Sequence, residues 1–234
     1  MKKVIYIIDS LQTGGAEKSI LEISQKLQTI EPIICLLYDD HDDLRGDFQK
    51  AGITILSLNV SRADKLWFLS GKKAFEAICE KVKPDLVHAH LFKSELIARI
   101  SKLPTTTKLV GSFVNDSYSN ERYKSQGLIR NFKLEVIAWI DRLTIRKNDY
   151  ITSITHTIAV SNTQKLHYPI QHVEVINRGR TVTEFSQNEV VYDSNSTFNF
   201  ITVGRLLERK GYFELIKAVK IIKEKTNLSF KLSI

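Results

Sequence analysis

The chain is poor in the features that mark most specialised chemistries. Only two cysteines occur in its 234 residues, Cys35 and Cys79, and both lie in apolar periodic segments. That placement reads as buried thiols rather than a disulfide, a metal pair or a nucleophile. No stretch approaches the roughly 18 consecutive apolar residues that a membrane-spanning helix needs. The start, Met1-Lys-Lys followed by Val4 to Ile8, is stopped by Asp9, too early for the apolar core of a secretion signal. A soluble, cytoplasmic protein is expected. There is no internal repeat of the solenoid kind. An aromatic-basic motif of the RNA-recognition type is also missing, so nucleic acid is not expected as a partner.

What is present points to a packed domain with an anionic partner. The apolar fraction is 43%, enough for a sizeable core. The formal charge of +8 suits phosphorylated small molecules or acidic lipid, and so leaves open a place at the inner face of a membrane.

Strand and helix patterns alternate along the chain. Val4 to Ile8 is a continuous β-branched and aromatic run, as in a strand buried on both faces. A loop ending at Gly14-Gly15 leads into an amphipathic helix over Ala16 to Leu27. The glycine pair lacks the Gly-x-Gly-x-x-Gly spacing of dinucleotide sites, and a tight turn accounts for it equally well. Pro32 to Tyr38 and Ile53 to Leu58 read as strands around a short helix over Leu44 to Lys50. The acids of Asp39 to Asp43 read as a solvated loop rather than a metal site. Trp67 to Lys83 reads as a helix with Leu69, Ala74, Ile78 and Val82 inward. Leu86 to Ala89 and Lys108 to Phe113 are the next strands. His88 and His90 stand two apart at a strand end, on one face. Without a third ligand of matching placement, packing or hydrogen bonding near a cleft is preferred to zinc.

Leu128 to Lys147 is a long helix, apolar at Ile129, Phe132, Val136, Trp139, Ile140 and Leu143, with Arg130, Lys133, Arg142, Arg146 and Lys147 beside them. It reads as a core-packed helix with a wet basic face, contact with an anionic membrane being the alternative. Asp149 to Thr152 and Thr157 to Val160 are expected to supply strand six, with Ser161 capping a helix over Asn162 to His167. Val173 to Ile176 is a further strand. Ser186 to Thr197 is polar and reads as a linker. Beyond it, Phe198 to Val203 reads as a strand, Gly204 to Gly211 as a charged turn, and the apolar positions from Phe213 to Ile222 as a helix. The unpaired N–H groups of that helix start would favour an anion, with Arg205 and Lys210 as donors to phosphate oxygens. An ordinary basic turn is the plainer account.

Alternating β and α segments imply a parallel sheet with helices on both faces, and ligands bind beyond the carboxyl ends of its strands. Gly14, Gly15, His90, Asn115, Arg205 and Lys210 all belong to such ends. The expected class is α/β: a Rossmann-like domain over 1–185, a linker over 186–197, and the beginning of a second Rossmann-like domain over 198–234.

Four stretches carry a family resemblance. Val203-Gly-Arg-Leu with Lys210-Gly resembles the opening of the second domain in family-4 retaining glycosyltransferases, which have two facing Rossmann-like domains, the GT-B architecture. Leu11 to Glu17, reading Leu-Gln-Thr-Gly-Gly-Ala-Glu, resembles their Gly-Gly-Ala-Glu loop. Lys83 to His90, with Pro-Asp-Leu-Val-His-Ala-His inside it, and Ile158-Ala-Val-Ser resemble two further family segments. The resemblance implies a nucleotide-diphosphate sugar donor, with Arg205, Lys210 and Gly15 at its phosphates. It implies a glycan or lipid-linked acceptor in a cleft beside Gly14, His88 and His90, and neither a cofactor nor a metal.

The chain also departs from the family. Val114 stands where members often carry a histidine close to the reacting sugar, which leaves Asn115 and Asp116 as neighbours for that role. Asn177-Arg178-Gly179-Arg180 replaces the usual Pro-Asn-Gly-Val-Asp. The Glu-x7-Glu pair of the donor domain has no counterpart. The full-length protein is thus expected to be a transferase for polysaccharide biosynthesis, and residues 1–234 alone to be inactive. The rival reading is a truncated, non-catalytic acceptor-binding or partner module.

Overall fold

The computed structural model describes residues 1–40, 43–124, 127–179, 197–204, 206 and 210–234. The chain divides into two compact units, Met1–Thr181 and Val182–Ile234.

The first unit is a seven-stranded parallel sheet. Its elements run β1 (Lys2–Ile8), α1 (Gly15–Lys26), β2 (Ile30–Leu36), α2 (Arg45–Lys50), β3 (Thr54–Ser57), α3 (Trp67–Val82), β4 (Leu86–Ala89), α4 (Phe92–Ile100), β5 (Lys108–Phe113), α5 (Asn120–Lys124), α6 (Leu128–Thr144), β6 (Tyr150–Ser153), α7 (His156–Leu166) and β7 (Val173–Val175). The strand order is β3-β2-β1-β4-β5-β6-β7. The chain moves outward from β1 to β3, then returns to the other side of β1, so the order reverses between β1 and β4. Crevices open at such a switch point, because the loops leaving the two strands turn to opposite faces.

β1 shows why the sheet is central. Ile5 and Ile7 face one layer, with Phe75 and Cys79 of α3 and Ile97 of α4. Val4, Tyr6 and Ile8 face the other, with Ala16 and Ile20 of α1 and Phe48 of α2. Period-two alternation on a strand covered on both sides gives this continuous apolar run. A third cluster joins α6 and α7 to the sheet through Leu134, Ala138, Ile151 and Leu166. Cys35 and Cys79 are free and buried, as expected. Burial pushes the Cys79 thiol up to about 12, which makes it a packing group.

Several expectations need correction. Thr157–Val160 is not part of a strand but lies inside α7. The Thr155 side chain accepts from the Ile158 backbone N–H at 3.2 Å and starts the helix there. Its β-branched run imitates a strand, yet the local cap prevails. Ser161 therefore sits within the helix and donates to Asp116 at 2.8 Å. α4 arises in a stretch to which the pattern reading assigns no element. Leu69 of α3 is half exposed, whereas Gly71, Phe75 and Cys79 face inward. The largest correction concerns α6, whose buried residues are Leu134, Ala138 and Asp141. The apolar residues expected inside, Ile129, Phe132, Val136, Trp139 and Leu143, are exposed.

The acidic loop is partly engaged by bases. Asp39 pairs with Arg45 and Asp40 with Arg62. Asp43 accepts from the Thr13 N–H at 3.0 Å.

The second unit holds β8 (Phe198–Ile201), α8 (Tyr212–Lys225) and β9 (Phe230–Ser233), with β8 and β9 paired in parallel. α8 has no buried residue among those described. The linker expected over 186–197 lies outside the described residues except for Thr197.

Candidate functional site

The site is built where β1 and β4 part. β1 ends at Ile8, and Asp9 turns toward the start of α4, accepting from the Ser94 N–H at 3.2 Å and the Ser94 hydroxyl at 2.6 Å. Asp9 thus caps α4 from a distant part of the chain, answering donors that the first helical turn leaves open. Burial raises its carboxyl above the usual range, against the lowering effect of those bonds. Leu91, between β4 and α4, has φ 71° and ψ 149°. That region is costly for a residue with a Cβ, and such strain gathers where a chain is held for function.

The glycine loop comes from β1. Gly14 is the N-cap of α1 and Gly15 its first residue. Glu17 folds back over Gly14 so closely that a Cβ there would lie 2.2 Å from its Oε2. That carboxylate is the free end of a flexible side chain, and the Gly14 φ of −147° is ordinary extended backbone, so neither one requires glycine here. A Cβ on Gly15 would meet the Arg178 guanidinium at 3.4 Å. Burial pushes the Glu17 carboxyl up, with Asp9 adding to the rise and Arg178 opposing it.

A cavity of about 710 Å³ opens beside this loop, walled by α1 on one side and the ends of β4, β5 and β6 on the other. Tyr6, His88, Ser112 and Thr152 form its floor, and Val114, Ile154, Ile176 and Arg178 are among the residues around it. The floor follows from register: Tyr6 lies opposite His88, and Ser112 opposite Thr152. The layer that packs α1 and α2 includes no residue of β5, β6 or β7 among those described, so polar side chains on that face of the sheet line open space.

The two histidines differ. His88 Nε2 is 2.7 Å from the Ser112 hydroxyl and 3.3 Å from that of Thr152. Burial lowers its pKa to about 4. His90 stacks on it at 4.3 Å between ring centroids. His90 is 8% exposed, and neither ring nitrogen has a partner among the described residues. Burial holds it well below the ordinary imidazole range, helped by His88 and Arg178. Both rings are therefore neutral at pH 7, able to donate at one nitrogen and accept at the other. A buried polar group without a partner is costly, and a ligand hydroxyl or phosphate oxygen would satisfy it.

A buried ion cluster stands behind the floor. Arg99 of α4 donates to Asp141 of α6 at 2.6 Å and pairs with Glu95 one turn earlier on its own helix. Tyr118 donates to Asp141. The other Glu95 oxygen accepts from the Ser112 N–H at 3.1 Å. One guanidinium cannot neutralise two buried carboxylates, and burial raises Glu95 to about 7. The line Arg99, Glu95, Ser112, His88 thus joins the cluster to the cavity floor.

The structure brings His88 and His90 into one cavity and sets Gly15 against Arg178 at its edge. Neither Gly14 nor Gly15 is among the described residues lining that cavity. Asn115 lies next door, in a smaller cavity of about 230 Å³. Its Oδ1 accepts from Ser117 at 2.5 Å and its carbonyl from Asn162 at 3.0 Å. Asp116 holds Ser161. Both therefore brace the turn into α7. Arg178, which sequence reasoning left without a role, could have been found as a cation just past the end of β7. Lys210 is exposed and directly precedes Gly211, the N-cap of α8 with φ 73°. Arg205 lies outside the described residues. Among the described residues no third metal ligand joins His88 and His90.

No curated protein matches the chain by sequence. The fold is similar to that of Anabaena HepE, solved with UDP and glucose, at a TM-score of 0.67 and 15% identity, over 99% of this chain and 60% of that one. It is similar to the lipopolysaccharide outer core galactosyltransferase WaaB at 0.60 and 14% identity, over 99% and 60%. It also resembles UDP-GlcNAc 2-epimerase from Neisseria meningitidis at 0.54 and 14% identity, over 99% and 65%. The chain therefore spans roughly three fifths of these proteins' length. At such identities the likeness establishes the GT-B type of α/β fold alone. The family model described as a glycosyl transferase 4-like domain matches residues 14–179, from the glycine loop to the turn that carries Arg178. Over that span, the larger part of its length, the chain belongs to the glycosyl transferase 4-like family.

Proposed function

We propose that this chain is the acceptor-side domain, with the start of the donor-side domain, of a retaining glycosyltransferase that uses a nucleotide-diphosphate sugar. The supporting observation is the cavity at the β1/β4 switch, within the span of the family match, with His90 unpaired inside it and Arg178 at its edge. The fold is shared by proteins that transfer a sugar and by one that epimerises it, and the family match favours transfer.

In the reaction, the sugar's bond to the diphosphate breaks, its carbon bonds to the oxygen of an acceptor hydroxyl, and that hydroxyl's proton passes to the departing diphosphate oxygen. Neutral His90 accepts a hydrogen bond from that hydroxyl and orients it. His88 fixes the ring beneath, through Ser112 and Thr152. Arg178 and the open N–H groups of α1 after Gly14 draw anionic groups to the same edge. Lys210, with Arg205, offsets charge on the leaving diphosphate. Residues 1–185 form the acceptor side and 198–234 the start of the donor side. The acceptor is a glycan or a lipid-linked sugar, and the product feeds polysaccharide synthesis at the cytoplasmic side of a membrane.

The test is calorimetric titration of UDP into a full-length version and into its Arg205→Ala and Lys210→Ala variants. Loss of one charge-assisted contact costs on the order of 1.5–3 kcal/mol, so each variant should bind at least tenfold more weakly. Equal affinity in all three proteins would remove the phosphate role.

A further inference from the structure

α6 is apolar on two opposite sides. Its inner side, Leu134 and Ala138 with Asp141, faces the core. On the other side run Leu128, Ile129, Phe132, Val136, Trp139 and Leu143, where Ile129 is 75% exposed, Phe132 71%, Trp139 60% and Leu143 60%. At 3.6 residues per turn these positions form one stripe roughly opposite Leu134 and Ala138. Single exposed apolar residues are ordinary, but a contiguous stripe with an aromatic pair marks a surface that something covers.

We propose that this stripe seats the protein on an anionic membrane surface. The argument for lipid is charge. Lys133 borders the stripe on α6, and Arg146 and Lys147 follow at its end, all three exposed. The exposed acid beside them, Glu135, is already held by Lys165 at 2.6 Å. A second copy docked through the same stripe would bring these basic residues toward one another. An anionic bilayer answers both features: Phe132, Trp139 and Leu143 enter the acyl boundary while Lys133, beside the stripe, and Arg146 and Lys147, past its end, meet headgroups. The helix lies in the interface and does not span it. Among the described residues no helix is long and apolar enough to cross a membrane. This inference stands apart from the sugar chemistry, since α6 lines neither α1 nor the histidine floor.

The protein has two tryptophans, Trp67 and Trp139, so Trp67→Phe leaves Trp139 as the lone reporter. That protein is mixed with vesicles of phosphatidylcholine, with and without phosphatidylglycerol. The expected result is a blue shift of Trp139 emission and co-sedimentation with the phosphatidylglycerol vesicles only, both reversed by high salt. Lys133→Ala with Lys147→Ala should weaken binding on the order of thirty-fold, at about 1 kcal/mol per basic residue near an anionic surface. Phe132→Ser should weaken it further, with circular dichroism unchanged. Because the reporter experiment alters no other residue of the stripe, it remains decisive even if a surface variant folds poorly. An unshifted Trp139 with no co-sedimentation overturns the proposal. So does binding that is indifferent to Phe132→Ser. A dimer detected by light scattering and dissolved by Phe132→Ser would assign the stripe to a second copy instead.

Discussion

Replacing Arg99 by leucine should be among the most damaging single changes in the first unit, with a pH signature of its own. The Arg99 side chain is 1% exposed, and its partners Glu95 and Asp141 are 8% and 11% exposed. Leucine fills much of the space but leaves two carboxylates buried without a cation. Removing one partner of a buried ion pair typically costs about 3–5 kcal/mol, a large part of the total stability of a domain. Glu95 already titrates near 7, raised by burial and lowered chiefly by Arg99. Without Arg99 its folded pKa rises further. A carboxyl whose folded pKa exceeds its unfolded value takes up protons on folding, so stability falls as pH rises above the unfolded pKa. The deficit of Arg99→Leu should therefore be larger at pH 8 than at pH 5.5. Urea denaturation followed by far-ultraviolet circular dichroism at both values measures it. Adding Glu95→Gln and Asp141→Asn should recover most of the loss, because neutral amides need no guanidinium and still accept from Ser112 and Tyr118. A deficit below about 1 kcal/mol, or one equal at both pH values, would refute the account of a cation shared by two buried acids.

The histidine floor should act with the opposite sign. His88 titrates near 4 in the folded chain, so stability should drop as pH falls from 6.5 toward 4, by up to about 3 kcal/mol, and His88→Gln should flatten that slope; parallel pH profiles for parent and variant would contradict it. Gly71 packs α3 on α4, where a Cβ would lie 2.3 Å from Ile97 Cδ1. Gly71→Val should therefore destabilise by roughly 1–3 kcal/mol despite a better helix propensity, and an unchanged melting temperature would show that Ile97 can move aside. In the second unit, the described sheet has two strands and α8 buries nothing. Amides of β8 and β9 should exchange far faster than those of β1, and equal protection in a monomeric sample would make residues 198–234 a stable unit.

Much of the fold was legible in the sequence because it follows from local rules. The apolar run of β1 required cover on both faces, the βα alternation required a parallel sheet, and the spacing of His88 and His90 put both on one side of β4. The glycine loop and the His-x-His strand also carried the family. What local rules cannot supply is the identity of the neighbour. α6 has two apolar sides, and periodicity alone favours the bulkier one. The core instead took the side of Leu134 and Ala138, whose small and medium side chains allow close approach, together with Asp141, which Arg99 and Tyr118 draw inward. In α7 a β-branched run suggested a strand, but the Thr155 cap decided for a helix. The isolation of His90 and the approach of Arg178 to Gly15 depend on tertiary structure, since Gly15 and Arg178 are 163 positions apart and meet only because the loops after β1 and β7 open at the same end of the parallel sheet. Sequence thus set which groups the chain possesses and which share a face. Tertiary structure decided which face found a partner, because burial energy depends on the surface that arrives opposite and not on the helix that offers it.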